Sequence, residues 1–482
     1  MSSPSLLLPV ETLNREFDGK LLLALHAAER GWRPTIGKRS TLHDNLQRFP
    51  ISIYFSKDFR AGNEAVFRIL AGLGHTIVGL DEEGLVNTSD EMLLLKMEPV
   101  VLDHLRAAFT WGENDARVFR LADGLAQKPV VVTGNPRGDL LRPDLAPYFS
   151  SEIASIREKY GQFALLNTNF ALVNHFIANL TRFKLADWVA EDKVEEMRSG
   201  LRGHKAKLLA AFLELIPGLA RQLHPCTLII RPHPSENWQT WVDAASGLDN
   251  VHMVHEGNIV SWLAAADVLI HNGCTSAVEA SILGTPALSY RPVKQPGFDN
   301  DLPNELGIEF ETAEGLIAKA VEITRQRRDG PHRLDPRRRA LLDRHIAALD
   351  GPLACERLMD ELEKCVEPPL PPADPARRLT ARIRLALRRN YRRIRKRSVK
   401  AKGNPVYLRH KFPRLGLDEV NERIGRLGAA LGRFDDLAAE EIMPDLFRIV
   451  GRPSDLPADR QHPGGAAKAP AFHSTMWTGR NE

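Results

Sequence analysis

Arg231-Pro232-His233-Pro234 leaves the end of an apolar run, Cys226 to Ile230, that reads as a buried strand. The two prolines fix φ on both sides of His233 and stiffen the loop, so an arginine and a histidine are aimed from a strand's carboxyl edge. A forked, permanently charged guanidinium suits phosphate, and an imidazole there can hydrogen-bond to phosphate or donate a proton. Further on, a strand ending at His271 runs into the small-residue turn Asn272-Gly273-Cys274, and a helix is expected to start at Thr275 or Ser276. Free N–H groups at a helix start, the macrodipole and two hydroxyls make a phosphate seat. Asn272 belongs to the same donor-binding set, and Glu279, one turn in, is placed to accept hydrogen bonds from ribose hydroxyls. The spacing of Ser276 and Glu279 also fits a capping box, which would leave such a seat in place.

The elements that must position these residues alternate. Short apolar runs at Leu6–Val10, Ile51–Phe55, Thr76–Leu80, Ala107–Trp111 and Pro129–Thr133 are separated by amphipathic stretches, the pattern of an open α/β sheet. Leu141–Glu158 reads as a linker, after which the alternation restarts at Phe163–Asn167. It continues through Thr227–Arg231, Val251–Val254, Val268–His271 and Ala287–Tyr290. An apolar helix over Ala206–Ile216 is expected to stop at Pro217-Gly218. Two α/β units in series make the cleft between them the natural ligand site. The turn Gly134 to Asp139 closes the last strand of the first unit, so Asn135, Arg137 and Asp139 are candidates for a cleft loop. Asn167 and Asn169 end the first strand of the second unit and face the same cleft. The expected division is 1–145, 146–350, a helical extension 351–450 and a disordered tail 451–482. Within the extension, Val420–Phe434 and Ala438–Val450 read as amphipathic helices.

Walker A and GxGxxG signatures are absent where strands meet helices, which counts against ATPase and NAD-enzyme chemistry, and a protein-kinase set and a GxSxG elbow are also absent. Asp299-Asn300-Asp301 has the form of a DxD but lacks a preceding apolar strand, and His252 and His255 lack a third ligand at metal-site spacing. No metal or cofactor is assigned. The four cysteines form no CxxC pair and no disulfide framework, which fits a reducing compartment.

The RPHP turn together with the HNGCTSAVEASILGTPALSY stretch resembles the bacterial surface-carbohydrate biosynthesis family, similar in pattern to GT-B glycosyltransferases, capsular Kdo transferases and teichoic-acid glycerophosphotransferases. The resemblance covers residues 5–345. It implies two Rossmann-like domains facing a cleft and transfer of a sugar from a CMP- or UDP-linked donor to a glycan or lipid-linked acceptor, without a metal. It also implies roles. Arg231 and His233 would address the donor phosphates, Thr275 and Ser276 would supply the helix-start seat, and Glu279 would hold the ribose. The acceptor would meet the first domain, where the acidic turn Asp81-Glu82-Glu83 would supply a base. Polyol-phosphate transfer from a CDP donor, nucleotide-sugar epimerisation and a non-catalytic assembly role are the alternatives it leaves.

Charge adds a separate feature. The whole chain is near balance, with 65 basic and 61 acidic residues, but residues 377–402 hold 13 Lys or Arg and no acid. The other 52 basic residues face all 61 acids, a balance of −9. On a helix Leu379, Ile383, Leu387, Tyr391 and Ile394 form an apolar stripe flanked by arginines that include Arg388, Arg389, Arg392 and Arg393. Such a helix fits an anionic membrane surface. No nucleic-acid module accompanies the charge. The first ten residues lack the basic and apolar regions of an export signal, so the sequence predicts a cytoplasmic protein held peripherally on the inner face of the membrane.

Overall fold

The computed structural model describes residues 3–177, 183, 185–326, 330, 332–366, 374–395 and 411–452. The first half builds β1 (Ser5–Val10), β2 (Arg33–Lys38), β3 (Ile53–Ser56), β4 (Thr76–Leu80), β5 (Leu105–Thr110) and β6 (Val130–Val132). The second builds β7 (Phe163–Asn167), β8 (Thr227–Arg231), β9 (Val251–Met253), β10 (Val268–His271), β11 (Ala287–Tyr290) and β12 (Ile308–Phe310). Near the C-terminus β13 (Leu437–Met443) and β14 (Leu446–Gly451) follow.

These strands form two sheets, ordered β13-β14-β2-β1-β3-β4-β5-β6 and β12-β11-β10-β7-β8-β9. The second is parallel throughout, and the first is parallel from β2 to β6. β1 is buried along its whole length because it lies between β2 and β3 with helices on both faces, as continuous apolar runs in parallel sheets do. The protein is therefore α/β with two parallel, Rossmann-like sheets, as the alternation predicts.

The C-terminal segments differ most from the sequence reading. Ala438–Val450 is a hairpin and not a helix; β14 pairs antiparallel with β2 and extends the first sheet. Met443-Pro444-Asp445 sits at the bend, where proline would break a helix and Asp445 takes a left-handed φ of 62°. Gly37 accepts this neighbour because a Cβ there would lie 2.2 Å from the Asp445 carbonyl oxygen. Val420 does begin a buried helical face, on Leu417–Leu431. Cys355, Leu358 and Leu362 join Ile424, Leu427 and Phe447 in the core that backs the first sheet. The extension thus completes the first unit's core and sheet.

Three smaller corrections concern connections. Pro217 does not end its helix, which runs from Glu191 to Leu223. Leu141–Glu158 is not an open linker: a 3₁₀ turn at Pro143–Phe149, with Leu145, Tyr148 and Phe149 buried, leads into the helix Ser150–Tyr160. β2 and β12 carry too few consecutive large apolar residues to stand out in sequence and are secured by pairing with β1 and β11.

The basic segment is helical from Pro375 to Arg395. Ala381 and Leu385 pack under it against the core that holds Phe67 and Leu70 of the helix Glu64–Leu73. Leu379, Ile383, Leu387, Tyr391 and Ile394 point away from the body and are 52–69% exposed. Residues 396–402 of the basic run and 453–482 of the expected tail lie outside the described residues, while Gly451 still belongs to β14. Among the described residues no helix is long and apolar enough to cross a membrane.

Candidate functional site

The carboxyl ends of the two sheets meet. Asn135 caps the short helix Pro136–Asp139 after β6, accepting the Arg137 N–H at 2.9 Å, and this turn aims Arg137 across the cleft. The Arg137 guanidinium donates to Glu279 Oε1 at 2.6 Å and to the Glu82 carbonyl at 3.3 Å, and it lies over the Trp111 ring. Glu279 therefore starts from a buried ion pair between the two units, and it forms no capping box with Ser276. The helix Thr275–Leu283 is capped by Cys274, which makes no side-chain capping bond, and Cys274 Sγ instead lies 2.7 Å from Ser276 Oγ.

Beside this helix start three buried groups end without partners among the described residues: both amide atoms of Asn272, Asn167 Oδ1 and His271 Nε2. Buried polar atoms are nearly always paired, so such a cluster at strand ends is a signal for a polar ligand or internal water. Asn169 follows on the same edge, partly exposed. The His233 Nδ1 accepts the Ser235 N–H at 3.1 Å, which leaves the proton of the neutral ring on Nε2. Arg231 is committed differently from expectation. Its two terminal nitrogens donate to the carbonyls of Glu256 and Gly257 at 2.6 and 2.8 Å, and it stacks over Trp262, so it braces the neighbouring loop.

The acidic turn lies opposite, with its three carboxylates in different settings. Asp81 is buried, which pushes its carboxyl up against the pull of Arg60, and its Oδ1 accepts the Glu83 N–H. Glu82 is buried with Lys20 at 3.4 Å, Asn135 Nδ2 at 3.5 Å and Arg137 at 4.0 Å. Glu83 lies partly exposed between Arg15 at 3.3 Å and Arg60 at 2.9 Å. Burial opposes its ionisation, but Arg15, Arg60, Lys57 and, from the other unit, His233 hold the carboxyl well below its usual range.

Asp139 does not reach the cleft. Its two oxygens accept the N–H groups of Ala354 and Cys355 at 2.7 and 2.9 Å, capping the helix Ala354–Val366, and burial raises its carboxyl to about 6. Asp299 likewise is spent on His204 and Arg291, each at 2.9 Å, and offers no free DxD carboxylate.

Sequence reasoning missed the charged floor of the cleft. Lys20 is buried between the Pro9 carbonyl, Glu16 and Glu82, and Glu16 also holds Lys57 at 3.2 Å. Arg15, whose charge Glu83, Glu16, Glu279 and Glu82 favour against burial, stands in the middle of these acids. Glu16 and Lys20, one turn apart on a helix that also carries a run of leucines, are the local signal that went unread. Glu236 was also passed over. Its buried carboxylate gathers the N–H groups of Phe170 and His233, the Thr168 hydroxyl and the Trp241 indole, which fixes the RPHP loop onto β7.

Neither a protein-family model nor a curated protein matches the chain. Solved structures with a similar chain path include a Methanocaldococcus jannaschii UDP-GlcNAc 2-epimerase in complex with UDP-GlcNAc and UDP, at 13% identity and TM-score 0.46, covering 75% of this chain and 99% of that one. The wall teichoic acid polymerase TagF is similar at 12% identity and TM-score 0.46, covering 76% of this chain and 88% of that one. Anabaena HepE in complex with UDP and glucose is similar at 11% identity and TM-score 0.40, covering 76% and 100%.

Proposed function

We propose that this chain is a glycosyltransferase of bacterial surface-polysaccharide assembly, moving a sugar from a CMP- or UDP-linked donor held by the second sheet to a glycan or lipid-linked acceptor. The observation that carries the reading is Asn272, buried with both amide atoms unpartnered among the described residues, beside a helix start whose N-cap side chain makes no capping bond. As the sugar–phosphate bond breaks, charge develops on the donor phosphate. Thr275 and Ser276 N–H groups and the His233 Nε2–H stabilise it from fixed positions. The acidic turn receives the acceptor hydroxyl. Glu83 is its outermost carboxylate, while Asp81 and Glu82 lie behind it as the remaining base candidates. Arg15 and Arg60 keep Glu83 ionised, and Arg15 is the cation that can turn from Glu83 toward the departing phosphate. Glu279 takes the ribose once Arg137 yields it. The basic helix holds the enzyme on the cytoplasmic face of the membrane, where a lipid-linked acceptor resides.

Thermal shift against CMP, CDP, UDP and GDP tests the donor site. At a hundredfold excess over Kd a bound nucleotide adds about 2.7 kcal/mol. One of the four stabilises the wild type and fails to stabilise Asn272→Ala and His233→Ala. If none of them stabilises the wild type, the donor assignment is wrong. Glu83→Gln is expected to retain the nucleotide shift and lose sugar transfer. Unchanged transfer in that variant moves the base to Glu82 or Asp81.

A further inference from the structure

Where the basic helix passes the end of β2 there is a cavity of about 190 Å³. It is far larger than the ~10–15 Å³ that one water requires. Lys38, Arg39, His43, Arg388, Arg392 and Lys411 line it, and among the described residues Glu11 is the one carboxylate in the lining. Glu11 accepts from Arg39 at 2.7 Å and Lys411 at 2.5 Å and also holds Lys57 at 2.9 Å. Just outside, Asp44 takes Arg392 at 2.9 Å and Asp445 takes Lys38 at 3.0 Å. Three carboxylates against five permanently charged lining residues leave the cavity positive by two. The Arg388 Nε is buried with no partner among the described residues. His43, which shares a hydrogen bond of 2.7 Å with Tyr54, is held neutral by burial and then by Arg39, Arg388 and Arg392, which reports the same positive potential. Cations crowded into a half-buried setting repel one another, and an anion among them relieves that repulsion.

A second observation identifies the kind of anion. Among the described residues ten large hydrophobic side chains are exposed, and five of them are Leu379, Ile383, Leu387, Tyr391 and Ile394 on this same helix. Leu387 and Tyr391 adjoin Arg388 and Arg392 in sequence, so the phosphate-seeking and the apolar features share two turns. An apolar stripe on a basic helix is the pattern of a helix lying in a membrane interface.

We infer that this cavity seats the phosphate headgroup of a membrane lipid whose hydrocarbon tail stays in the bilayer beside the exposed stripe. The inference rests on the membrane reading of the basic helix and not on the chemistry proposed for the cleft. Glu11 connects through Lys57, Glu16 and Lys20 to Glu82.

The test uses the full chain and vesicle flotation, comparing phosphatidylcholine vesicles doped with phosphatidate, whose phosphate is a terminal monoester, with vesicles matched in surface charge by phosphatidylglycerol. The wild type is expected to prefer phosphatidate by about tenfold, the scale set by one to two arginine contacts. Arg388→Gln/Arg392→Gln abolishes the preference. Arg389→Gln/Arg393→Gln removes equal charge from exposed positions and weakens both vesicle types without changing their ratio. Because Arg392→Gln releases Asp44, Lys411→Gln is the second cavity variant; Glu11 keeps Arg39 and Lys57 there, and the preference again falls. Equal wild-type binding to both vesicles overturns the proposal, as does loss of preference in both double variants alike. Stabilisation by inorganic phosphate that requires Arg388 and Arg392 without any vesicle binding assigns the cavity to free phosphate and overturns the lipid source. Displacement from vesicles by an RNA oligonucleotide overturns it in favour of nucleic acid. A nucleotide shift that survives in Arg388→Gln/Arg392→Gln shows that the cleft is intact whatever the cavity binds.

Discussion

Burial sets the protonation of His75 more strongly than any neighbour does. It is 5% exposed directly before β4, its Nδ1 accepts the Ser52 N–H at 3.2 Å, and burial lowers its pKa from 6.5 to about 4. A depressed folded-state value means that the unfolded chain binds the proton first as pH falls. The stability this residue contributes is therefore present above 6.5 and lost progressively as pH drops toward 4. The loss amounts to about 3 kcal/mol at 1.36 kcal/mol per unit. His75→Gln keeps an acceptor for Ser52 and cannot titrate, so urea-unfolding stability measured from pH 7.5 down to about 4 should fall less steeply in the variant by that amount. Parallel slopes would show that His75 is already neutral in the unfolded chain or charged in the fold. The same logic separates the site carboxylates. Burial lifts Asp81, while Arg15 and Arg60 overcome burial at Glu83, so two acids of one turn ionise with opposite ease.

At the scale of elements, the basic helix is held by a small-residue contact. Gly72 sits in the helix Glu64–Leu73, and a Cβ there would come within 2.8 Å of the Ala381 Cβ. Glycine inside a helix ordinarily costs about 1 kcal/mol relative to alanine, so its presence here reflects the close approach. Gly72→Val should prise the basic helix away. Overpacking of about 1–3 kcal/mol corresponds to amide exchange in Pro375–Arg395 at least about tenfold faster, with β3 and β4 unchanged. Unaltered exchange would mean that the helix shifts to absorb the methyl groups. Periodicity made this helix and its apolar stripe from Leu379 to Ile394 legible, but not the face that docks: Ala381 and Leu385 are the residues that pack against the body. The hairpin β13–β14 shows the converse. Its residues read as a helix in the sequence, and the strands only make sense once β2 offers an open edge. Most of the inner strands and the two site loops were legible because long apolar runs with prolines, glycines and polar residues at their ends are local signals. Arg15, Lys20 and Glu236 were not, because their meaning depends on acids and donors brought from distant turns.

Several polar contacts join the two units: besides the buried Arg137–Glu279 pair, Asn258 meets Asp18 at 3.0 Å, Glu98 accepts the Asp187 N–H at 2.8 Å, and Lys193 meets Glu91 at 2.6 Å. Removing one partner of a buried pair strands the other, at about 3–5 kcal/mol, while removing both costs far less. Arg137→Met should lower the urea midpoint sharply, and Arg137→Met/Glu279→Met should recover much of that loss. A double variant no more stable than Arg137→Met would show that the pair does not join the units energetically. The C-terminal segments act on the same scale: the chain returns after the second unit to complete the sheet and core of the first. By itself the sequence determined two α/β units, the placement of RPHP and the Asn272–Glu279 turn at strand ends, and a basic helix that averages away in the net charge. These are local consequences of apolar periodicity, proline geometry and charge runs. Only the tertiary structure decided that Glu279 is held by Arg137, that Arg231 braces a loop, that Asp139 caps a remote helix, and that the C-terminal hairpin belongs to the first sheet. Each depends on which distant groups share one buried volume, where an unpaired charge or strand edge is costly and its partner is fixed by packing, not by proximity along the chain.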